Sequence, residues 1–248
     1  MNTKILKVFG LLLIGLLITA CGSNTILGSR EVIKGSGNVI TESREVSGFD
    51  GVSHTGIGRV IIVQGGEESL TIEADDNLME YITSEVRNGT LELGFEDNIR
   101  FDSPTSIQFE VSAIDLNTID SVGTGTIVIE ELNTDQLEIS TTGTGSISID
   151  SLMASDLVVN AEGTGNIELA GIIVNQELDL KGTGAYDAPD LESQTANLQV
   201  TGTGSAVLWV LDSLDVEISG ISKVSYFGSP TVTQNITGTG SLTSLGDK

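Results

Sequence analysis

The chain has 248 residues, of which 39% are hydrophobic, so it can bury a substantial core and global disorder is not expected. Its formal net charge of −24 argues against nucleic acid as a partner, and its single cysteine excludes an internal disulfide or a cysteine-based metal cluster. Aromatic residues make up only 4% whereas glycines number 30, a combination typical of many short strands joined by tight turns.

Residues 1–20 are typical of an export signal. Residues 1–7 are basic, and the apolar run that follows them is too short to span a bilayer comfortably. The run ends in Ile18-Thr19-Ala20-Cys21, which resembles the lipobox of bacterial lipoproteins. The resemblance implies cleavage before Cys21 and lipidation of its thiol, so a membrane is the expected partner of the anchor. An ordinary secretory signal with an incidental cysteine is the alternative.

Such an anchor implies a location outside the cytoplasm, on a bacterial membrane. Gly22 is not the acidic residue that often retains lipoproteins at the inner membrane, which favours the outer membrane or the cell surface. Residues 21–44 are polar and contain Gly and Ser, and we interpret them as the lipidated cysteine and a tether. The folded domain is therefore predicted to span residues 45–248.

The first part of this domain contains irregularly spaced strand patterns. Apolar residues alternate with polar ones at Val60/Ile62, Leu70/Ile72, Leu91/Leu93 and Ile107/Phe109/Val111. Each alternation predicts a short strand. Residues 75–82 predict a capped helical turn with Leu78 and Ile82 on one face, and this turn is a candidate to close one end of the fold.

From residue 123 onward the tripeptide Gly-Thr-Gly recurs. It starts at 123, 143, 163, 182, 202 and 238, and Gly220-Ile221-Ser222 occupies the one missing place, so the period is 18–20 residues. Apolar residues alternate with polar ones after each copy, and a second alternating segment precedes the next copy. Variable loops are expected between the two segments at 131–136, 151–156 and 171–177.

A unit this short cannot bury its own apolar face, whereas stacked units bury one continuous core. The repeat therefore predicts an all-β parallel β-helix in which each period forms one coil, about 4.8 Å from the next. The glycines are expected at the corners. A tight bend there demands a positive φ, which costs a residue with a Cβ about 1–2 kcal/mol.

Three segments, together with the serial corners, resemble the head GIN domain of putative auto-transporter adhesins. They are residues 46–52 (Val-Ser-Gly-Phe-Asp-Gly-Val), 56–60 (Gly-Ile-Gly-Arg-Val) and 70–78 (Leu-Thr-Ile-Glu-Ala-Asp-Asp-Asn-Leu). The resemblance covers residues 46–245. It implies a right-handed parallel β-helix and, commonly, a lipoprotein signal, but it carries no catalytic residue over to any position of this chain.

Few residues offer catalytic chemistry. His54 is the sole histidine, which excludes a Ser-His triad or a multi-histidine metal site, and we interpret it as a solvated loop residue. Carboxylates such as Glu130 and Asp150 are scattered over the coils rather than paired as glycoside hydrolysis requires. We therefore expect a non-catalytic protein without metal or cofactor, and a polysaccharide-active enzyme is the least favoured alternative.

One column of the repeat changes from polar to apolar along the chain, and strand parity places it on the outer surface. It holds Glu130, Asp150, Ala170, Pro189, Trp209, Phe227 and Leu245. The last four, Pro189, Trp209, Phe227 and Leu245, are predicted to form a ligand-contact patch, because aromatic residues dominate binding hot spots. The alternative is that these side chains turn inward or that the C-terminal tail covers them.

Together these patterns favour an anchored binding module of the cell envelope that contacts glycans or envelope proteins. The alternatives are a purely structural spacer and a subunit that stacks end to end. A localised surface patch separates the first interpretation from a spacer, which needs none.

Overall fold

The computed structural model describes residues 31–102 and 107–248, so the leader and Cys21 lie outside the described residues. Its strands are β1 (Glu31–Ile33), β2 (Val39–Arg44), β3 (Gly51–Gly56), β4 (Arg59–Gln64), β5 (Ser69–Asp75), β6 (Ile82–Arg87), β7 (Thr90–Phe95), β8 (Ile99–Phe101), β9 (Gln108–Ala113), β10 (Thr118–Gly123), β11 (Thr126–Asn133), β12 (Gln136–Gly143), β13 (Ser146–Gly163), β14 (Asn166–Gly182), β15 (Ala185–Gly202), β16 (Ser205–Gly220), β17 (Lys223–Phe227), β18 (Thr231–Gly238) and β19 (Ser241–Ser244). A short 3-10 helix, Met79–Tyr81, lies between β5 and β6. Within the described ranges, none of the helical structure is long and apolar enough to cross a membrane.

The Gly-Thr-Gly repeat folds as a parallel β-helix, which confirms the prediction. The first glycine of each repeat is the Cα partner of its equivalent one coil on, in the pairs 123/143, 143/163, 163/182, 182/202, 202/220 and 220/238. Each coil therefore advances the chain by 18–20 residues. The residues four positions after these glycines form a buried interior ladder: Ile127, Ile147, Ile167, Tyr186, Ala206 and Val224.

The two glycines of a corner are needed for different reasons. Gly143 has a φ of +129°, in the predicted positive range, and a Cβ there would lie 2.4 Å from the carbonyl oxygen of Gly123. Gly145 has no φ in that range, but a Cβ would lie 2.5 Å from the carbonyl oxygen of Gly125 in the preceding coil. Between the two glycines, Thr144 is exposed and donates its backbone N–H to the Gly123 carbonyl at 2.8 Å.

Bulges, rather than loops, absorb much of the difference in length between coils. The segments expected as loops at 151–156 and 171–177 are extended parts of β13 and β14. The register of the parallel pairing shifts instead, between Ile149 and Leu152 in β13 and between Glu168 and Ala170 in β14. An extended segment keeps its backbone hydrogen bonds to neighbouring coils, which an irregular loop would have to satisfy elsewhere.

The spatial order of the first coils differs from their order in the sequence. The coil of β3 and β4 pairs with β10 and β11 on one side and with β7 and β9 on the other. In the sequence, β7 and β9 lie between β4 and β10, but in space they are on the far side of the β3–β4 coil. Beyond these, three antiparallel pairings close this end of the stack: β6 pairs with β7, β5 pairs with β9, and β2 pairs with β5. The expected capped turn is a short 3-10 helix whose N-cap, Leu78, makes no side-chain capping bond. Leu78 and Ile82 are buried together in the core.

Two strands, β1 and β2, precede residue 45, the predicted start of the folded domain. Strand β2 pairs antiparallel with β5, and the guanidinium of Arg44 donates to the carbonyl oxygen of Ile82 at 2.7 Å. Strand β1, still earlier in the chain, pairs with β8. Hydrophobic patterning could not reveal β2, because it is an edge strand held by its backbone, and its apolar residues Val39 and Ile40 stay exposed.

His54 is buried, so its interpretation as a solvated loop residue was wrong. It lies on β3 with 0% of its surface exposed, and its ring meets the Phe109 ring edge-on at 5.5 Å between centroids. Nε2 lies 3.1 Å from the carbonyl oxygen of Ile57, to which it donates in the matching tautomer. The ring occupies the space beside Gly125, where a Cβ would lie 2.2 Å from Cε1. Burial lowers the pKa of His54 from its ordinary value of 6.5.

We expect mild acid to destabilise the domain through His54. Because its folded-state pKa lies below 6.5, the unfolded chain binds more protons, so the stabilisation is complete above that pH and is lost as the pH falls through the folded-state pKa. Denaturant unfolding between about pH 7.5 and 5.5 measures the effect, since few other side chains titrate there. The His54→Leu variant should lose less unfolding free energy than the wild type over this interval. Equal losses would contradict a buried, neutral histidine.

Candidate functional site

The predicted outward column contains an aromatic pair. Trp209 on β16 and Phe227 on β17 are Cα partners in parallel register on adjacent coils. The neighbours of Trp209 in the chain, Leu208 and Val210, are fully buried, so the Trp209 ring projects from the outer surface, where it is partly exposed. The alternation of inward and outward side chains, read from the sequence, places both rings on the outer surface, and the structure has them there as well.

The C-terminal tail lies across these rings, as the alternative in the sequence analysis anticipated. The Lys248 ammonium is 5.1 Å from the ring centroid of Trp209 and 5.4 Å from that of Phe227. It also donates to the carbonyl oxygen of Pro189 at 2.6 Å and forms an ion pair with the carboxylate of Asp190. We call the four residues that Lys248 contacts, Trp209, Phe227, Pro189 and Asp190, the aromatic site.

Pro189 belongs to the site in a way that the repeat does not indicate. Counting from the corner glycine aligns it with Trp209, but the residue that pairs with Trp209 is Glu192. The register shifts between the pairs Asp187/Val207 and Glu192/Trp209, so four residues on β15 stand opposite one on β16. Pro189 lies in this bulge, and its backbone carbonyl accepts a hydrogen bond from the Lys248 ammonium.

Leu245 extends the outer column by one further coil. Its backbone N–H donates to the carbonyl oxygen of Tyr226 at 2.8 Å, and 46% of its surface is exposed. It therefore lies beside the coil that carries Phe227, in the expected direction. The tail between Leu245 and Lys248 is held by two further bonds, from Gly228 N–H to the Gly246 carbonyl at 2.9 Å and from the Ser229 hydroxyl to the Asp247 carboxylate at 2.6 Å.

A buried polar network supports the site from inside the coil. The Ser193 hydroxyl donates to the carbonyl oxygen of Trp209 at 2.9 Å and accepts from Nε2 of Gln176 at 2.7 Å. Oε1 of Gln176 in turn accepts from the Tyr186 hydroxyl at 3.0 Å. Burial raises the pKa of Tyr186, so its hydroxyl stays protonated and remains a donor. The backbone of Trp209 is thereby fixed by side chains from two other strands.

The surroundings of the aromatic site are acidic. A groove of about 250 Å³ adjoins it and is lined in part by Asp150, Glu168, Asp187, Pro189 and Asp190. These carboxylates add to a net charge of −24 over the whole chain. A surface of this kind attracts cations and repels anions.

Other concave regions have different characters. A groove of about 440 Å³ elsewhere on the coils has a mixed polar and apolar lining, and its Asn175 side chain hydrogen-bonds to Asp156 and to Thr195 on the two adjacent coils. An interior void under the corner glycines measures about 20 Å³, room for a single water molecule. Within the described part of the chain, no group of three or more His, Cys, Asp and Glu side chains could hold a metal ion.

Parallel coils stacked in register define a β-solenoid. A sequence model of the head GIN domain of putative auto-transporter adhesins matches residues 48–230, and the chain belongs to this family. The family description, a putative adhesin, is that of a binding protein. A comparison with curated proteins found no match.

Solved structures share the fold. The structure resembles a putative adhesin from Bacteroides fragilis with a TM-score of 0.83 and 27% sequence identity, over 86% of this chain and 100% of that chain. A protein from Parabacteroides distasonis, described as a putative lipid binding protein, gives a TM-score of 0.74 at 22% identity, over 87% of this chain and 100% of that chain. A putative adhesin from Parabacteroides merdae gives 0.70 at 21% identity, over 86% and 99% of the two chains.

Proposed function

We propose that this adhesin-family protein is a lipid-anchored module of the cell envelope that binds envelope glycans or proteins without catalysis, through the aromatic site. The observation that carries the proposal is the in-register pair Trp209 and Phe227, two partly exposed aromatic rings on adjacent coils. Large aromatic side chains dominate binding hot spots. The network behind Trp209 supports a preformed surface, which binds at a lower cost in conformational entropy than one that orders on contact.

Lipid is a less suitable ligand for the domain itself, although one structural neighbour is described as a lipid binding protein. An acyl chain needs an apolar cavity of a few hundred cubic ångströms or more. The ladders of Ile, Leu and Val fill the coil, and the void under the corner glycines offers only about 20 Å³. The groove of about 440 Å³ is large enough, but Asp156, Glu177 and Asp215 line it beside its apolar residues. The proposal therefore assigns lipid to the anchor on Cys21.

Lipidation of Cys21 is expected in the mature protein. The lipobox-like residues before it predict cleavage at this position, and two or more acyl chains anchor a protein stably where one does not. Mass spectrometry of the mature N-terminus should show a diacylglyceryl or triacyl modification on Cys21. The Cys21→Ser variant should be released from the membrane. An unmodified cysteine, or cleavage elsewhere, would overturn the anchored part of the proposal.

Removing the aromatic pair should weaken envelope binding. We expect Trp209→Ala with Phe227→Ala to reduce retention on isolated envelope about tenfold or more, because hot-spot aromatics carry most of the energy of an interface. The measurement is cosedimentation of the soluble domain with envelope treated either with protease or with glycan-degrading enzymes. The treatment that abolishes wild-type retention identifies the partner as protein or glycan.

A matched control is available on the same solenoid. Met153 and Ile172 are also Cα partners on adjacent coils, and each is 59% exposed. Replacing both with alanine removes a comparable apolar pair elsewhere and should leave retention unchanged. If the two double variants bind equally well while thermal unfolding shows both folded, the aromatic site is not the contact surface and a structural spacer becomes the better interpretation.

A further inference from the structure

We propose that the aromatic site is a receptor for the side chain of a lysine on a partner protein, and that Lys248 is its internal occupant. This inference rests on the proposed function and gives it a ligand: a primary alkylammonium group. The site offers that group two aromatic faces, a carbonyl oxygen and a carboxylate, all of which Lys248 contacts.

The four contacts match the chemistry of an ammonium group. A lysine ammonium carries three N–H donors and no acceptor. Pro189 and Asp190 accept two of these bonds, while Trp209 and Phe227 face the remaining positive charge with their rings. Both rings lie within the distance of about 6 Å at which cations are attracted to aromatic faces. A neutral sugar could stack on the rings and donate hydroxyl hydrogens to the Asp190 carboxylate, but it would bring no positive charge to the two ring faces.

The fold builds this arrangement from parts that are distant in the sequence. The bulge in β15 brings Pro189 and Asp190 beside the rings of β16 and β17, and Ser193, in the same strand, bonds to the backbone of Trp209. The acidic groove next to Asp190 raises the local concentration of cations. The receptor thus consists of β15, β16 and β17, and the lysine that fills it comes from a separate segment of the chain.

Lys248 is positioned as a competitor for the site. Its side chain remains 31% exposed in the bound position. Because it is tethered to the domain, it acts at an effective concentration that is millimolar for short linkers. An external lysine must displace it, so removing the Lys248 charge should increase the affinity of the site for the same group on another molecule.

The sole tryptophan of the chain, Trp209, reports on the site directly, because the intrinsic tryptophan fluorescence arises from this position alone. The experiment titrates the full-length mature protein, in detergent, with Nα-acetyl-lysine amide at physiological salt. In Lys248→Gln we expect a saturable change in Trp209 emission, with half-saturation at least about tenfold lower than in the wild type. The same probe acetylated at Nε lacks the charge and should give no saturable change. Adding Asp190→Asn to Lys248→Gln should raise the half-saturation concentration about tenfold or more.

Two results would overturn the inference. If Lys248→Gln responds to neither probe, or equally to both, the site has no preference for an ammonium group and Lys248 only fastens the tail. Thermal unfolding of each variant shows whether the site is still folded. Envelope retention is measured separately: retention that depends on Trp209 and Phe227 without any ammonium response refutes the lysine receptor but leaves the proposed function standing. Retention that is unaffected by those two residues refutes the proposed function itself.

Discussion

Valine in place of Gly143 is expected to reduce the free energy of unfolding by about 3 kcal/mol. Two costs add together. The φ of +129° is strained for any residue with a Cβ, and that Cβ would lie 2.4 Å from the carbonyl oxygen of Gly123 in the preceding coil. Relief by moving the corner is blocked on the other side, because Gly163 packs equally closely on the carbonyl of Gly143.

The neighbouring residue provides the control for this variant. Thr144 is exposed, and the bond it makes to the Gly123 carbonyl comes from its backbone N–H, which Thr144→Val retains. We expect this change to alter the unfolding free energy by no more than about 0.5 kcal/mol. Chemical denaturation of both variants at one pH gives the comparison. Equal destabilisation would mean that the corner is not packed as tightly as the carbonyl distances indicate.

Removing the Tyr186 hydroxyl should cost about 2 kcal/mol of unfolding free energy. In Tyr186→Phe, Oε1 of Gln176 loses its donor, and both side chains lie in the interior of the coil. A buried polar atom without a partner bears the full loss of its hydration. The change removes one oxygen and opens only a small cavity, so the loss reports on the hydrogen bond.

A second substitution should reverse most of that loss. Gln176 stands between Leu157 and Ala196 in its interior column, so leucine suits the position. Tyr186→Phe combined with Gln176→Leu removes both partners of this bond, and replacing both partners is close to neutral. Ser193 loses the bond from Gln176 but keeps the one that it donates to the Trp209 carbonyl oxygen. A thermodynamic cycle over the two single variants and the double variant measures the coupling. If the double variant is as unstable as the sum of the singles, the network does not behave as a connected unit.

The repeat was informative about the coils because every coil obeys the same rule. A residue's position within the repeat predicts its place in the coil. It gave the corner glycines, the interior ladders and the outward position of Trp209. The order of the first coils does not follow from this position, since periodicity shows which residues are equivalent and not which segments are neighbours. Strand β2 gave no signal for a related reason: backbone pairing with β5 and the Arg44 side chain hold it in place, while Val39 and Ile40 remain exposed.

The candidate site shows the same division. The alternation of side chains along a strand predicted that Trp209 and Phe227 face outward. Counting a fixed number of residues from the corner glycine aligned Pro189 with Trp209, but the bulge in β15 shifts the register, so Glu192 is the residue that pairs with Trp209. Lys248 lies outside any repeat and meets Asp190 across 58 residues of sequence, so no local pattern could connect them. Gln176 could have been found, since a glutamine in an otherwise apolar column implies a buried partner.

The placement of the coil formed by β3 and β4 has a consequence for how the chain assembles. Residues up to 113 already cover that coil on one face with β7 and β9, and its other face is left open for β10 and β11, the first coil of the repeats. Each later coil then needs only the one made just before it, about twenty residues back. A chain that leaves a translocation pore with its N-terminus first can therefore wind up in step with its release. Trp209 and Phe227 come together only when the last coils form, so shortening the chain from its C-terminal side should remove the proposed contact surface before it removes the first coils.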